Sequence, residues 1–91
     1  MIVRWTEDAA EDLRRIFQYI AKDDANAATR VCLRIVDSID LLTSFPRKGR
    51  VGRVARTREL VASGLPCLTV YEVADEVIFI LRILHGAVRR P

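Results

Sequence analysis

Apolar positions recur along the first half of the chain at a spacing of three or four, and along the second half in alternating or short unbroken runs. The segment Ile2 to Trp5 is β-favouring and predicts a first strand. Thr6 follows as a helix N-cap whose hydroxyl can take a free backbone N–H, and Glu7 and Asp8 complement the dipole of the first turn. Ala10, Leu13, Ile16, Phe17 and Ile20 keep helical spacing, which predicts a helix over about residues 7–22. Lys22-Asp23-Asp24 breaks that pattern, and Asp24 or Asn26 can cap a second helix. Ala28, Val31, Cys32, Ile35, Ile39 and Leu42 carry the second helix through about residue 44. So short a connection predicts an antiparallel helical hairpin. Leu33, Val36 and Leu41 widen the second helix's apolar face beyond one stripe, which fits a broad core helix or a face covered by another chain.

Phe45-Pro46 ends the helical pattern, because the residue before proline is pushed out of the α region. Past the loop that follows, the apolar period drops to two. Glu59 to Ala62 predicts a strand, Ser63-Gly64-Leu65-Pro66 a turn, and Cys67 to Val73 a second strand. In the latter, Leu68 and Val70 fall on one face and Cys67, Thr69, Tyr71 and Val73 on the other. A tight turn at Ala74-Asp75-Glu76 leads into Val77–His85, short and apolar enough to read as a central strand buried on both faces. These two strands predict an antiparallel hairpin. The expected fold is α+β, in the order β-α-α-β-β-β. A two-helix antiparallel hairpin packs on one face of a small, mainly antiparallel sheet of three to four strands.

Ninety-one residues make one domain, 1–91, with room for a single core. No apolar run is long enough for a membrane span, and no basic region followed by an apolar stretch opens the chain. A cytoplasmic location is the expectation. Cys32 and Cys67 fall on core faces and read as two buried thiols; with one histidine in the chain, they predict no metal site and no cofactor. Charge is distributed unevenly. Residues 1–45 carry six cations and eight acids, whereas residues 46–91 carry nine cations and four acids. Between residues 47 and 58 lie Arg47, Lys48, Arg50, Arg53, Arg56 and Arg58 with no acid. Such a segment reads as an exposed loop whose self-repulsion a counter-charged partner would relieve, either a polyanion or an acidic protein.

In this order and spacing, several short pieces resemble the RelE/ParE superfamily, the toxins of bacterial type II toxin–antitoxin systems. They are Val3-Arg4-Trp5-Thr6 before Ala9, Asp12 and Leu13; Phe45-Pro46 and Gly49-Arg50; Thr57-Arg58-Glu59-Leu60; Val70-Tyr71-Glu72-Val73; and Ile80-Leu81-Arg82-Ile83-Leu84-His85-Gly86-Ala87. The resemblance implies a growth-inhibiting toxin neutralised by a cognate antitoxin, with a homodimer or a toxin–antitoxin hetero-oligomer as the assembly. Leu13, Phe17, Leu33, Val36 and Leu41 would meet the antitoxin.

Two branches of the superfamily act differently. RelE-like members cut mRNA on the ribosome, which needs a group to accept the 2′-hydroxyl proton, a proton for the leaving oxygen and cations around the phosphate. That branch typically carries basic residues where this chain has Glu59 and Val61, and an arginine where it has Leu68. What remains for such chemistry is His85, Arg82 and Arg58. His85 reads either as an acid or base near neutral pH or as a structural ring closing the strand, and Arg82 as reaching an edge or pairing with Glu72 across the hairpin. The closing Leu81–Ala87 is more similar to the ParE branch, which inhibits DNA gyrase by binding it. The expectation is therefore a gyrase-binding toxin, not an enzyme, that uses Arg47, Lys48, Arg50, Arg53, Arg58, Arg89 and Arg90 on its target. The alternative is an endoribonuclease acting on the ribosome and mRNA.

Overall fold

The computed structural model describes residues 1–86. Strand β1 (Ile2–Trp5) leads into helix α1 (Glu7–Ala21), and helix α2 (Ala25–Asp40) continues as a 3-10 turn (Leu41–Thr43). Strands β2 (Arg50–Val51), β3 (Thr57–Val61), β4 (Cys67–Ala74) and β5 (Val77–His85) follow. They form one five-stranded sheet in the order β1-β5-β4-β3-β2, antiparallel throughout except for the parallel β1–β5 pair. This is the α+β architecture expected from the periodicities, with one addition. The basic loop contributes the two-residue β2, because Arg50 and Val51 pair with Glu59 and Arg58.

Both helices start where their caps place them. The Thr6 hydroxyl accepts the Ala9 N–H at 3.1 Å, and the Asp24 carboxylate accepts the Ala27 N–H at 3.0 Å. Ile16 of α1, Ile35 and Ile39 of α2 and Leu42 bury fully against Leu60, Tyr71, Ile78, Ile80 and Ile83 of the sheet. Each aliphatic side chain so buried contributes on the order of 1.5–3 kcal/mol. Cys67 lies in this core and Cys32 packs against it, both as free thiols. Burial pushes the pKa of each thiol up, which keeps them protonated and unreactive at neutral pH.

Strand β5 is central, between β1 and β4, but it is not buried on both faces. Ile78, Ile80 and Ile83 sit under the helices, while Val77, Phe79 and Leu84 are half-buried on a face that no described element covers. The sequence reads as doubly buried because both faces are apolar, and among the described residues only one of them is packed under the helices.

A β-bulge explains the odd phase of these buried positions. Tyr71 pairs with Ile80 but Val70 pairs with Arg82, so Leu81 is the extra residue on β5. At the same point β1 has ended, since its last pair is Trp5 with Ile80. Helix α1 then supplies what a neighbouring strand would. The Thr6 hydroxyl donates toward the carbonyls of Ile80 (2.9 Å) and Leu81 (3.1 Å), and the Asp12 carboxylate accepts the Ile83 N–H at 2.9 Å. The same carboxylate takes a forked pair of bonds from Arg82, 2.7 Å from Nε and 2.9 Å from Nη2. Arg82 therefore does not pair with Glu72. Glu72 lies opposite Phe79, and the bulge brings the guanidinium to α1 instead.

Candidate functional site

Three surfaces carry the residues singled out from the sequence. The first is the basic loop, which is held rather than free. Its anchor is Tyr71, fully buried on β4, whose hydroxyl donates to the Pro46 carbonyl at 2.7 Å and accepts the Gly49 N–H at 2.9 Å. A Cβ on residue 49 would sit 2.7 Å from the Tyr71 ring and 2.9 Å from the Glu59 carbonyl oxygen, so only glycine lets the loop approach this closely. The Arg58 guanidinium crosses beneath, donating to the Gly49 carbonyl at 2.8 Å and the Arg47 carbonyl at 3.4 Å.

Farther along, the Glu59 carboxylate accepts from Arg50 at 3.1 Å and from the Arg53 N–H at 3.4 Å. Arg56 closes the loop with φ at +67°, the left-handed region that arginine rarely adopts. Two hollows flank this segment and share Pro46 and Arg47. One of about 570 Å³ is lined by Phe45, Pro46, Arg47 and Lys48; one of about 290 Å³ by Pro46, Arg47, Arg56, Arg58 and Val73. Arg56, Phe45 and Tyr71 are not among the site residues expected from the sequence. There Arg56 is one of six loop cations, and Phe45 and Tyr71 belong to pieces of the family resemblance; the places of Arg56 and Tyr71 here depend on residues far apart in sequence.

The second surface is an apolar ridge. Leu33 (56% exposed) on α2, Leu41 (50%) in its 3-10 extension and Phe45 (61%) just past it follow one another at eight- and four-residue steps, and the Phe45 N–H donates back to the Leu41 carbonyl at 3.0 Å. Phe17 on α1 is 39% exposed. Leu13 and Val36 are half-buried, and Leu13 packs against the core, so the chain itself already uses part of its surface. The ridge therefore leads from the helical hairpin to the larger hollow at Phe45.

The third is the uncovered face of the sheet. Leu68 pairs with Val61 on one side and Leu84 on the other, and Val70 pairs with Glu59. The positions where a ribonuclease of this superfamily would hold basic groups thus come together on one face, and they present two aliphatics and one carboxylate already bonded to Arg50. Nor do the remaining candidates converge. Arg58 lies opposite Tyr71 and His85 opposite Cys67, four residues apart on β4 or roughly 13 Å. Arg82 is held by Asp12. The His85 ring instead lies 6.3 Å from that of Tyr19, centroid to centroid, tilted by 54°. Burial lowers the His85 pKa, which keeps the imidazole neutral at neutral pH. Arg89 and Arg90 lie outside the described residues. Among the described residues no group of three or more side chains is arranged to hold a metal ion, and no helix is long and apolar enough to cross a membrane.

Known proteins are similar to this chain over most of its length. The family described as the ParE toxin of type II toxin–antitoxin systems, parDE, matches residues 3–89. A protein of Sinorhizobium fredii described as "Putative toxin Y4kP" is 40% identical over 89 residues, covering 98% of this chain and 92% of its own. Toxin RelE2 of Caulobacter vibrioides is 40% identical over 85 residues, covering 93% of this chain and 94% of its own. Among solved structures, the chromosomal ParDE system of P. aeruginosa superimposes with a TM-score of 0.83 at 28% identity, covering 93% of this chain and 95% of that one. The toxin–antitoxin complex RelBE of E. coli reaches 0.59 at 16% identity over the same shares, which is a likeness of fold. This chain belongs to the ParE toxin family of type II toxin–antitoxin systems.

Proposed function

We propose that this toxin stops growth by binding DNA gyrase, without catalysing a reaction, and that its antitoxin docks along the Leu33–Leu41–Phe45 ridge. The observation that carries the first half is the open face of β3 and β4. Glu59, Val61 and Leu68 occupy the places where RNA-cleaving relatives would need cations, and the one cation bonded there, Arg50, is paired with Glu59. Cleavage at a 2′-hydroxyl requires charge stabilisation at the phosphate as well as proton transfer. Here His85, Arg82 and Arg58 are apart, and Arg82 is committed to a carboxylate. The names of relatives do not decide between the branches, since one is called RelE2 and the matching family is ParE. The rigidly clamped cationic loop supports a binding role, because such a loop presents charge without a reaction centre beside it.

For the antitoxin, the support is the ridge itself together with the family's place in toxin–antitoxin systems. A chain this small gains from having exposed leucines covered by another protein. Induced expression in a bacterial host, read in parallel for DNA damage and for mRNA cleavage by primer extension, separates the two actions. A DNA-damage response without new mRNA ends is expected. New ends mapping to translated messages, lost in His85→Ala, would replace this reading with the ribonuclease.

A further inference from the structure

We propose that the two hollows flanking Pro46 and Arg47 form a single site for an acidic segment of a partner protein, one that places a large apolar side chain next to a carboxylate. The smaller hollow is lined by the guanidinium-bearing residues Arg47, Arg56 and Arg58, and no acid lines it. Among the described residues, none of the three enters an ion pair, whereas Arg14, Arg15, Arg50 and Arg82 each do. The bonds Arg58 makes to the Gly49 and Arg47 carbonyls orient it but leave its charge uncompensated. Arg56 keeps the left-handed backbone at φ +67°, a conformation strained for a residue with a Cβ and one that recurs at ligand-binding positions. Planar guanidinium groups converging on one hollow suit a carboxylate, which they can take by paired hydrogen bonds.

The larger hollow, across the shared Pro46 and Arg47, is walled by Phe45 and by the aliphatic stem of Lys48. Phe45 is exposed although its ring is fully apolar, and the Tyr71 clamp on Pro46 fixes the floor beneath it. An apolar pocket adjoining a cationic one fits a Leu or Phe followed by Glu or Asp. A nucleic-acid strand is the poorer fit, because it offers a phosphate at every step and needs cations in a track. Here Arg47, Arg56 and Arg58 are gathered at one hollow that adjoins an apolar one, and Arg50 is paired with Glu59.

The test is fluorescence anisotropy with the purified full chain and a fluorescein-labelled hexapeptide, Leu-Phe-Glu-Glu-Leu-Glu, at low ionic strength. Saturable binding is expected, with about tenfold loss in Arg47→Gln and in Arg56→Asn, the size of one lost charge-assisted bond. Asparagine is chosen at position 56 because it tolerates the left-handed backbone, so the loop keeps its shape. Phe45→Ala is expected to cost about tenfold as well, by removing one wall of the apolar pocket. A peptide with glutamine for glutamate is expected not to bind. Binding that is absent at millimolar peptide, or equal in the three variants, overturns the proposal. So does displacement of the peptide by a single-stranded oligonucleotide of equal charge at lower concentration. No gyrase enters this assay, so the site and the gyrase reading fail independently.

Discussion

Asp12 joins the helical layer to the sheet through one carboxylate. It accepts from Arg82 twice and from the Ile83 N–H, and so satisfies a strand edge that β1 has ceased to cover. Burial pushes its pKa up, but the Arg82 bonds, the Ile83 N–H and the charges of Arg82 and Arg15 outweigh that and hold it below the usual carboxylate value. The folded state thus binds this proton more weakly than the unfolded chain. The stabilisation is present above the ordinary carboxylate pKa and is lost as pH falls through the lowered folded value. Asp12→Asn is expected to cost about 2 kcal/mol in chemical denaturation near neutral pH. That is less than for a fully buried pair, because the Arg82 side chain keeps 38% of its surface exposed. The variant is also expected to lose part of the wild type's acid sensitivity below about pH 4; an unchanged pH profile would contradict this account of the carboxylate.

Tyr71 acts at the same scale on the loop. Tyr71→Phe removes a donor and an acceptor while keeping the ring, and is expected to cost about 1–3 kcal/mol and to speed hydrogen exchange at the Gly49 amide. The rest of the sheet is expected to keep its exchange rates.

At the scale of elements, most of the fold is legible in the sequence. The three-to-four spacing from Ala10 to Leu42 locates both helices, and Thr6 and Asp24 are the caps their positions suggest. Alternation in β4 correctly places Leu68 and Val70 opposite Cys67, Thr69 and Tyr71. What is not legible depends on partners far along the chain. The bulge at Leu81 and the turn of Arg82 toward Asp12 follow from a contact spanning 70 residues, which no local period encodes. The short β2 arises because Glu59 draws Arg50 and the Arg53 N–H across the loop, and a window of six cations hides this. In the site, the cationic loop is legible from composition, but its convergence on one hollow is not, since that requires the Tyr71 clamp.

The ridge on α2 yields a prediction at this scale. Leu33→Asp and Leu41→Asp lie on exposed surface, so each is expected to change folding stability by less than about 0.5 kcal/mol. Each leucine buried by a partner contributes on the order of 1.5–3 kcal/mol, so each substitution is expected to weaken antitoxin binding about tenfold or more by calorimetry. Unaltered affinity in the double variant would place the antitoxin elsewhere.

Over the whole molecule, acids and cations are unevenly shared between the two halves of the sequence. The acids concentrate in the half of the sequence that forms β1 and the helices, the cations in the half that forms the loop and sheet. The clamped loop therefore presents uncompensated positive charge beside an apolar ridge, on a scaffold with no assembled group of acid, base and phosphate-binding cations among its described residues. On the proposed reading such a surface acts by occupying another protein, and its association is expected to slow as salt screens the encounter. The most direct measurement is supercoiling of relaxed plasmid by purified DNA gyrase with increasing amounts of the toxin. Inhibition is expected at micromolar toxin, retained in His85→Ala and relieved by stoichiometric antitoxin. Undiminished supercoiling at that concentration would contradict the account.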